Sequence, residues 1–236
     1  MRSQARRDRS SPLPEERNKS QKVREMFDAI APRYDLVNRV MTLGMDRGWR
    51  RQAVDRLELA PGSLVLDIAC GTGDFCNELI HRGIHAVGID FSPGMLRSAK
   101  TPAPLLAADA LALPVKRGAA DGVTCGFALR NVANLRTLFG QMSYALRPGG
   151  RFAILEVDEP ESAIPHFFHR LYFHQVVPLI GGAISDRRAY RYLPASTSYL
   201  PPPSEILEML KDAGFNELAR VQLGMGAVQI ISGTRI

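Results

Sequence analysis

The chain has 236 residues, of which 45% are hydrophobic and 23% are charged, the ordinary mixture of a globular protein with one sizeable domain. Its three cysteines show no metal-site spacing, so we expect neither a disulfide scaffold nor a structural zinc site, and a reducing cytosol fits best. A signal peptide and a membrane-spanning helix are not expected either, because no apolar run approaches the roughly 20 residues that a span needs.

The net charge of +6 is concentrated at the N-terminus. Residues 1–24 carry eight basic and three acidic side chains, which leaves the rest of the chain nearly neutral. Because residues 1–20 also contain serines and prolines, we predict that they form a disordered basic leader, followed by one domain over residues 21–236. Contact of this leader with anionic lipid or nucleic acid is the alternative.

Past the leader, hydrophobic periodicity predicts a helix over residues 20–31 and a second helix that begins near Asp46 as its N-cap and stops at Pro61. Downstream, short continuous apolar runs alternate with helical patterns. The predicted strands are residues 64–69, 85–89, 105–107, 122–127, 151–157, 218–222 and 227–232. The predicted helices among them are residues 75–82, 93–100, 135–146 and 205–213, the last with Ser204 as its N-cap.

This alternation indicates a parallel sheet that is covered by helices on both faces. Right-handed crossovers then give a doubly wound, mostly parallel α/β fold. Ligands in such folds bind outside the carboxyl ends of the strands, so polar residues that follow the strands are the candidate site residues.

The strongest local signal is LVLDIACGTGD, residues 64–74, in which Gly71-Thr72-Gly73 joins a buried strand to a helix. Glycines let the backbone turn sharply and approach a ligand, and the helix N-terminus offers free N–H groups. A dinucleotide site requires GxGxxG, but Cys76 stands at the third glycine position. Asp67 and Asp74 place negative charge beside the turn, which suits a cationic or zwitterionic ligand better than a pyrophosphate.

Two further acids follow the next two predicted strands. Asp90, 16 residues after Asp74, can accept hydrogen bonds from both hydroxyls of a ribose. Asp109 can accept one from the exocyclic amine of an adenine, and the small Ala110 leaves room for the ring. Three acids at three successive strand ends therefore predict one ligand site at the carboxyl edge of the sheet.

Beyond the glycine turn, the distinctive stretches are MFDAIAPRYDLVNRVMTLGMDRGWR (26–50), FALRNV (127–132), LRPGGRFAILE (146–156) and AYRYLPAS (189–196). With these stretches, almost the whole chain from Val23 to Ile236 resembles the class I S-adenosylmethionine-dependent methyltransferases, and within them the menaquinone/ubiquinone-biosynthesis C-methyltransferases. One departure is Ala128, where the family usually has glycine. This matters only if that position needs a positive φ angle.

The resemblance implies a seven-stranded sheet with an antiparallel last strand, an N-terminal helical cap and S-adenosyl-L-methionine as the methyl donor. The implied cofactor contacts are the methionine part on Asp67, Gly71, Thr72 and Gly73, the ribose on Asp90, and the adenine on Asp109 and Ala110. The implied reaction transfers a methyl group to a ring carbon of demethylmenaquinol, a prenylated quinol, and gives menaquinol and S-adenosylhomocysteine.

Such a reaction needs stabilisation of a phenolate-like oxygen. Arg130 and Asn131 follow the fourth predicted strand, and we predict that Arg130 stabilises this charge while Asn131 orients the quinol hydroxyl. The alternative for Arg130 is an ion pair with a surface acid. Tyr34 and Asn38 are predicted substrate-binding residues in the N-terminal helical region, with core packing as the equal alternative for Tyr34.

His166, His169 and His174 have a spacing that can place three imidazoles on one helical face, as in a zinc site. We predict no metal, because no carboxylate shares that face and methyl transfer from a sulfonium needs none. The apolar residues on the other side, through Ile180, are a candidate grip for an isoprenoid tail or a contact with a membrane surface.

Two alternatives to a demethylmenaquinol methyltransferase remain open. One is a methyltransferase with another acceptor, such as a benzoquinol, another small molecule or RNA, although the near-neutral body offers no aromatic and basic patch for nucleic acid. The other is a non-enzymatic cofactor-binding module. The sequence predicts a cytoplasmic protein that contacts the inner face of the membrane at most peripherally, and it leaves the oligomeric state open, a homodimer included.

Overall fold

The computed structural model of the protein describes residues 19–158 and 196–236. Residues 1–18, most of the predicted leader, lie outside the described residues, as do the three histidines and the apolar stretch around them. The first helix begins at Lys19, two residues inside the predicted leader. In the two described ranges, no helix is long and apolar enough to cross a membrane.

Three helices precede the sheet: α1 (Lys19–Ile30), α2 (Tyr34–Met41) and α3 (Asp46–Asp55). The alternating part consists of β1 (Leu64–Ile68), α4 (Asp74–His81), β2 (His85–Asp90), α5 (Pro93–Ser98), β3 (Leu105–Ala107), β4 (Ala120–Gly126), α6 (Leu135–Ala145) and β5 (Leu146–Val157). The last described part contains α7 (Pro203–Asp212), β6 (Phe215–Leu223) and β7 (Val228–Arg235).

The seven strands form one sheet in the order β3-β2-β1-β4-β5-β7-β6. β1 pairs in parallel with both β2 and β4. β7 runs antiparallel to both of its neighbours, β5 and β6. The predicted seven-stranded, mostly parallel α/β fold with an antiparallel last strand is therefore confirmed. Ile68 is the partner of Ile89 on one side and of Cys125 on the other, so β1, β2 and β4 end at one edge.

Helices cover both faces because alternate residues of the strands point to opposite sides. On one face, Leu66 and Ile68 of β1 pack with α6 and α7, which contribute the fully buried Phe139 and Leu210. On the other face, Val65 packs with α3 and α4. Helices therefore pack on both faces of the sheet, and this packing fixes the position of its carboxyl edge, the platform of the site.

α1 and α2 form a smaller layer that is attached to this platform. Ile30 and Val37 are fully buried, and Met26, Phe27, Tyr34 and Met41 pack around them. Asp28 of α1 accepts hydrogen bonds from Ser92 Oγ (2.6 Å) and from the backbone N–H of Gly94 (2.7 Å) at the start of α5. These bonds tie the N-terminal cap to the turn that follows β2.

Several predicted boundaries need correction. β6 and β7 are longer than predicted, because their outer residues gain backbone partners from each other, a contribution that apolar runs do not reveal. α7 begins at Pro203 rather than after a Ser204 cap, since proline at the first helical turn lacks the N–H that a cap would satisfy. Asp46 is the first residue of α3 rather than its N-cap, and its carboxylate accepts from Thr42 and Arg50 instead.

Candidate active site

A cleft opens at the carboxyl edge of the sheet, where ligands bind in folds of this kind. A smaller cavity adjoins it, and Tyr34, Gly71 and Phe127 line both. The cleft brings together residues that follow β1, β2, β3 and β4 with three residues of the N-terminal cap, Ser20, Phe27 and Tyr34. This is the placement that the strand-end residues predicted.

The glycine turn between β1 and α4 has the left-handed conformation that glycine tolerates, with φ of 55° at Gly71 and 89° at Gly73. The backbone N–H of Gly71 donates to Asp90 (2.8 Å), which fixes the turn against the end of β2. Thr72 is buried, and its hydroxyl donates to Asp35 of α2 at 2.5 Å. Thr72 therefore also holds the N-terminal cap over the turn.

Asp90 is almost fully buried and lines the cleft. One carboxylate oxygen accepts from Gly71 and the other from the N–H of Ser92 (2.8 Å). Burial raises the pKa of Asp90, and the backbone donors oppose that rise. Since each oxygen has two acceptor positions, one position on each is left for a ligand hydroxyl.

Asp67 lies deeper, at the smaller cavity, with a side chain that is only 1% exposed. Thr124 donates to it at 2.9 Å and the Cys76 thiol at 3.5 Å. Burial raises the pKa of Asp67 to about 7, although these two hydrogen bonds work against the rise. The residue predicted to carry a full negative charge is therefore poised between its neutral and ionised forms near neutral pH.

Asp109 and Ala110 follow β3 and line the opposite end of the cleft from the glycine turn's smaller cavity. Asp109 is exposed and accepts from the N–H of Leu111 (2.9 Å), which orients its carboxylate. Ala110 and Leu111 add an apolar surface beside it. A charged acceptor next to a flat apolar wall suits an aromatic ring that carries an amine.

Arg50 is a site residue that the sequence analysis missed. This buried arginine of α3 lines the smaller cavity and pairs with Asp46 (2.5 Å) and Asp74 (3.0 Å). Its guanidinium also lies 5.9 Å from the rings of Phe75 and Phe127. The i, i+4 spacing from Asp46 was visible in the sequence, but its approach to Asp74 depends on how α3 packs against α4.

Arg130 lies in a short 3₁₀ turn after β4, and its side chain is buried in an ion pair with Glu156 of β5. It is not a lining residue of the cleft, whereas its neighbours Ala128 and Asn131 are. The ion pair that the alternative predicted is therefore present, but its acid is buried rather than at the surface. Within the described ranges, Arg130 Nε and Glu156 Oε2 have no hydrogen-bond partner.

The structure separates the two predicted substrate-binding residues of the cap. Tyr34 lines both cavities and packs edge-on against Phe27, and burial raises the pKa of its hydroxyl. Asn38 lines neither cavity. Asn131 lines the cleft and donates to the carbonyl of Phe127 at 3.3 Å, so its amide is held at the wall of the cleft.

Ala128 has a φ of −112°, so the replacement of the family's usual glycine introduces no left-handed strain. The predicted absence of metal is untested for His166, His169 and His174, which lie outside the described residues. Among the residues that the structure describes, no group of histidine, cysteine and acidic side chains could hold a metal ion.

The fold is shared with known methyltransferases. A crystal structure of an S-adenosylmethionine-dependent methyltransferase from Thermotoga maritima, titled a possible histamine N-methyltransferase, aligns with a TM-score of 0.64 at 20% identity, over 91% of this chain and 100% of that chain. A second match, a putative methyltransferase from Bacillus halodurans, has a TM-score of 0.56 at 16% identity, over 79% and 98% of the two chains. These likenesses show the fold of this chain, which it shares with S-adenosylmethionine-dependent methyltransferases.

The sequence narrows the class to one family. The profile of the ubiE/COQ5 methyltransferase family matches residues 15–235, and the chain belongs to that family. A demethylmenaquinone methyltransferase of Roseiflexus castenholzii is 40% identical over 94% of this chain and 97% of its own length. Another, of Deinococcus radiodurans, is 43% identical over 86% and 89%. A ubiquinone/menaquinone biosynthesis C-methyltransferase of Syntrophotalea carbinolica is 39% identical over 91% and 94%.

Proposed function

We propose that the enzyme transfers the methyl group of S-adenosylmethionine to a ring carbon of demethylmenaquinol, giving menaquinol and S-adenosylhomocysteine. The observation that carries this proposal is the pair of adjoining cavities. Asp90, Asp109, Tyr34 and Asn131 line the cleft, and Asp67 lines the smaller cavity. The similarity to demethylmenaquinone methyltransferases at 40–43% identity over most of the chain supports the choice of acceptor.

Residues of both cavities would hold S-adenosylmethionine. Asp109 and Ala110 would hold the adenine, and Asp90 would accept from the ribose hydroxyls. Gly71, Thr72 and Gly73 would hold the methionine part, with its ammonium near Asp67. Arg50, the buried cation of the smaller cavity, then pairs with the methionine carboxylate.

The sulfonium methyl then points toward Tyr34 and Asn131, where the quinol ring binds. Loss of the proton of the quinol hydroxyl raises electron density on the adjacent ring carbon. That carbon attacks the methyl carbon, the bond from methyl to sulfur breaks with its electron pair going to sulfur, and the ring carbon loses its proton. Asn131 and the Tyr34 hydroxyl are the groups at this wall that orient the quinol oxygen.

Arg130 acts on that oxygen from behind Asn131, as a positioned positive charge. Glu156 partly neutralises this charge. The ion pair therefore acts on the quinol oxygen through the electric field of its positive end, and not as an unpaired cation. Electrostatic stabilisation of this kind is strongest where water is excluded, as it is around these two buried side chains. Asn38, away from both cavities, acts on the position of α2 instead of touching the quinol.

The acceptor is tested by incubating the protein with S-adenosylmethionine and chemically reduced demethylmenaquinone that carries a short prenyl tail. Parallel reactions contain a benzoquinol with the same tail, RNA, or no acceptor. We expect mass spectrometry to find a methylated naphthoquinone, with the new methyl group on the ring. Methylation of the benzoquinol or RNA in preference to the naphthoquinol would contradict the proposal, as would no transfer to any acceptor.

The role of Arg130 is tested with variants that keep its buried environment paired. The double variant Arg130→Gln/Glu156→Gln replaces the ion pair by a neutral pair of similar shape and should lower kcat by ~100- to 1,000-fold, the loss expected for one charge-stabilising donor. Binding of S-adenosylmethionine should change less than about threefold, because its contacts come from other elements. Glu156→Gln alone retains the arginine and serves as the control for packing. Normal turnover of the double variant would remove Arg130 from the mechanism.

A further inference from the structure

α2 and the turn that follows it carry a concentration of exposed apolar side chains. Leu36 is 56% exposed, Leu43 77% and Met45 48%. These are three of the seven large apolar side chains found exposed in the described ranges, and they fall within ten residues of each other. Isolated exposed leucines are ordinary in a folded protein, whereas a cluster of them marks a contact surface.

This cluster follows from how α2 packs. Tyr34, Val37 and Met41 form its inner face and pack around Ile30, so the residues on the opposite side of the helix face outward. Leu43 and Met45 lie in the turn that follows α2, where Leu43 has a φ of 51°. The inner face of the same helix contributes the Tyr34 wall of the cleft.

The charges around the cluster have one sign. Arg39 and Arg47 are exposed beside it. The two acids of the stretch from residue 31 to 47 face inward: Asp46 is 2% exposed and pairs with Arg50, and Asp35 accepts from Thr72 and pairs with Lys100. An apolar surface rimmed by arginines complements the surface of a bilayer that contains anionic lipids.

We propose that this surface, formed by Leu36, Leu43 and Met45 with Arg39 and Arg47, docks the enzyme onto an anionic membrane. The leucines enter the interface between headgroups and acyl chains, while the arginines contact the phosphates. The inference rests on the proposed function in one respect: a prenylated quinol resides in the bilayer, and docking through α2 brings the Tyr34 wall of the cleft close to it. The surface is distinct from the basic N-terminal residues, which add charge but no apolar anchor.

Vesicle sedimentation with the full chain, without cofactor or quinol, tests the surface directly. The vesicles contain phosphatidylglycerol and phosphatidylcholine, or phosphatidylcholine alone. In Leu36→Gln/Leu43→Asn the apolar anchor is removed, and we expect binding to the anionic vesicles to fall by about tenfold or more. Leu43 has a φ of 51°, a conformation that asparagine adopts more readily than leucine, so this change does not strain the fold.

Met225 provides a matched control. It is 86% exposed, has a φ of 57°, and lies in the turn between β6 and β7. Met225→Asn makes the same type of change away from the proposed surface and should leave vesicle binding unchanged. Arg39→Gln/Arg47→Gln should weaken binding to the anionic vesicles by about fivefold per arginine and leave binding to phosphatidylcholine unaffected.

Equal vesicle binding by Leu36→Gln/Leu43→Asn and Met225→Asn would overturn the proposal. A loss of mass in sedimentation velocity for the leucine variant alone would also overturn it, because a second copy of the chain would then occupy the surface. Turnover on a short-tailed quinol in the absence of vesicles separates the two proposals. If neither the wild type nor any variant methylates the quinol, the proposed acceptor is wrong. The vesicle-binding result still tests the docking surface in that case.

Discussion

Asp67 shows how a buried carboxyl group acquires properties that its residue type does not suggest. Its side chain has two donors, Thr124 and Cys76, but almost no contact with water. Burial disfavours the charged form and raises the pKa to about 7. In an unfolded chain the same group has a pKa of about 3.9. Between these two values the folded protein holds a proton that the unfolded chain has released.

This difference predicts how stability depends on pH. Because the folded state binds more protons, the contribution of Asp67 to stability decreases as pH rises from about 4 to about 7, and is constant above that. The total change is at most about 4 kcal/mol, three pKa units at about 1.4 kcal/mol each. Urea unfolding of the ligand-free protein at pH 5 and pH 8 measures it, with Asp67→Asn as the comparison. The variant should gain stability relative to wild type at the higher pH.

Asp90 also has a raised pKa, and because it is present in both proteins, the difference between them isolates Asp67. Asp28 and Asp46 have lowered pKa values and therefore titrate below this range. A constant difference in unfolding free energy between wild type and Asp67→Asn at the two pH values would show that Asp67 is ionised throughout.

In the proposed binding mode, cofactor binding depends on the turn between β1 and α4. Gly71 and Gly73 both have positive φ, but their surroundings differ. A methyl group added to Gly71 would meet no atom within 4 Å, since it would project into the empty cleft. At Gly73 it would lie 2.5 Å from Cγ2 of Thr101. The absence of a side chain at Gly71 therefore leaves space for a ligand, and at Gly73 it leaves space for Thr101.

The two alanine variants should separate binding from stability. Gly71→Ala should cost about 1–2 kcal/mol for the left-handed backbone and lower S-adenosylmethionine affinity by tenfold or more. Gly73→Ala should cost a further ~1–3 kcal/mol, because the stiff threonine cannot move away without repacking. Calorimetry and urea unfolding provide the two measurements. Gly140→Ala in α6, where the space is open and φ is not positive, should instead stabilise by about 0.5–1 kcal/mol.

The elements up to β5 were largely predictable from the sequence, whereas their lateral contacts were not. β3 has the predicted limits, and β1, β2 and β4 differ by one or two residues, because continuous apolar runs reflect burial on both faces. The site acids were predictable since each follows such a run. The pairs Arg130–Glu156 and Asp28–Ser92 join residues 26 and 64 positions apart, and no local pattern reveals them. The same holds for Arg50 and Asp74, which require α3 to be packed on α4.

At the scale of the whole molecule, ligand binding and folding are coupled equilibria. A ligand that binds only the folded protein stabilises it by about 2.7 kcal/mol at a concentration 100 times its Kd. For a domain of this length that corresponds to a rise in Tm of roughly 5–10 °C. The cleft lies between the sheet and the cap, so a bound cofactor would reinforce the contacts that join them.

Asp109→Ala tests the adenine contact through this global response. Asp109 is exposed and its side chain accepts from the N–H of Leu111, so the Tm of the ligand-free variant should stay within about 2 °C of wild type. Loss of a charged acceptor should weaken binding by ~10- to 100-fold and reduce the rise in Tm to between about a half and about a seventh. Scanning calorimetry with and without S-adenosylmethionine measures both. Asp212→Ala, which removes an exposed acid paired with Arg136, is the control and should retain the full rise.

The two sides of the cleft are formed by different parts of the chain. In the proposed binding mode, the cofactor side of the cleft is lined by residues between 69 and 111, joined at the smaller cavity by Asp67 and Arg50, whereas the acceptor side combines α1 and α2 with residues 126–133. Most of the donor half is thus one continuous stretch of the chain, and substitutions that reshape the acceptor half leave that stretch untouched. Recombination at the two ends of that stretch would exchange the cofactor half of the cleft and keep the acceptor half. The same cofactor half can in this way be combined with a half that binds a new methyl acceptor.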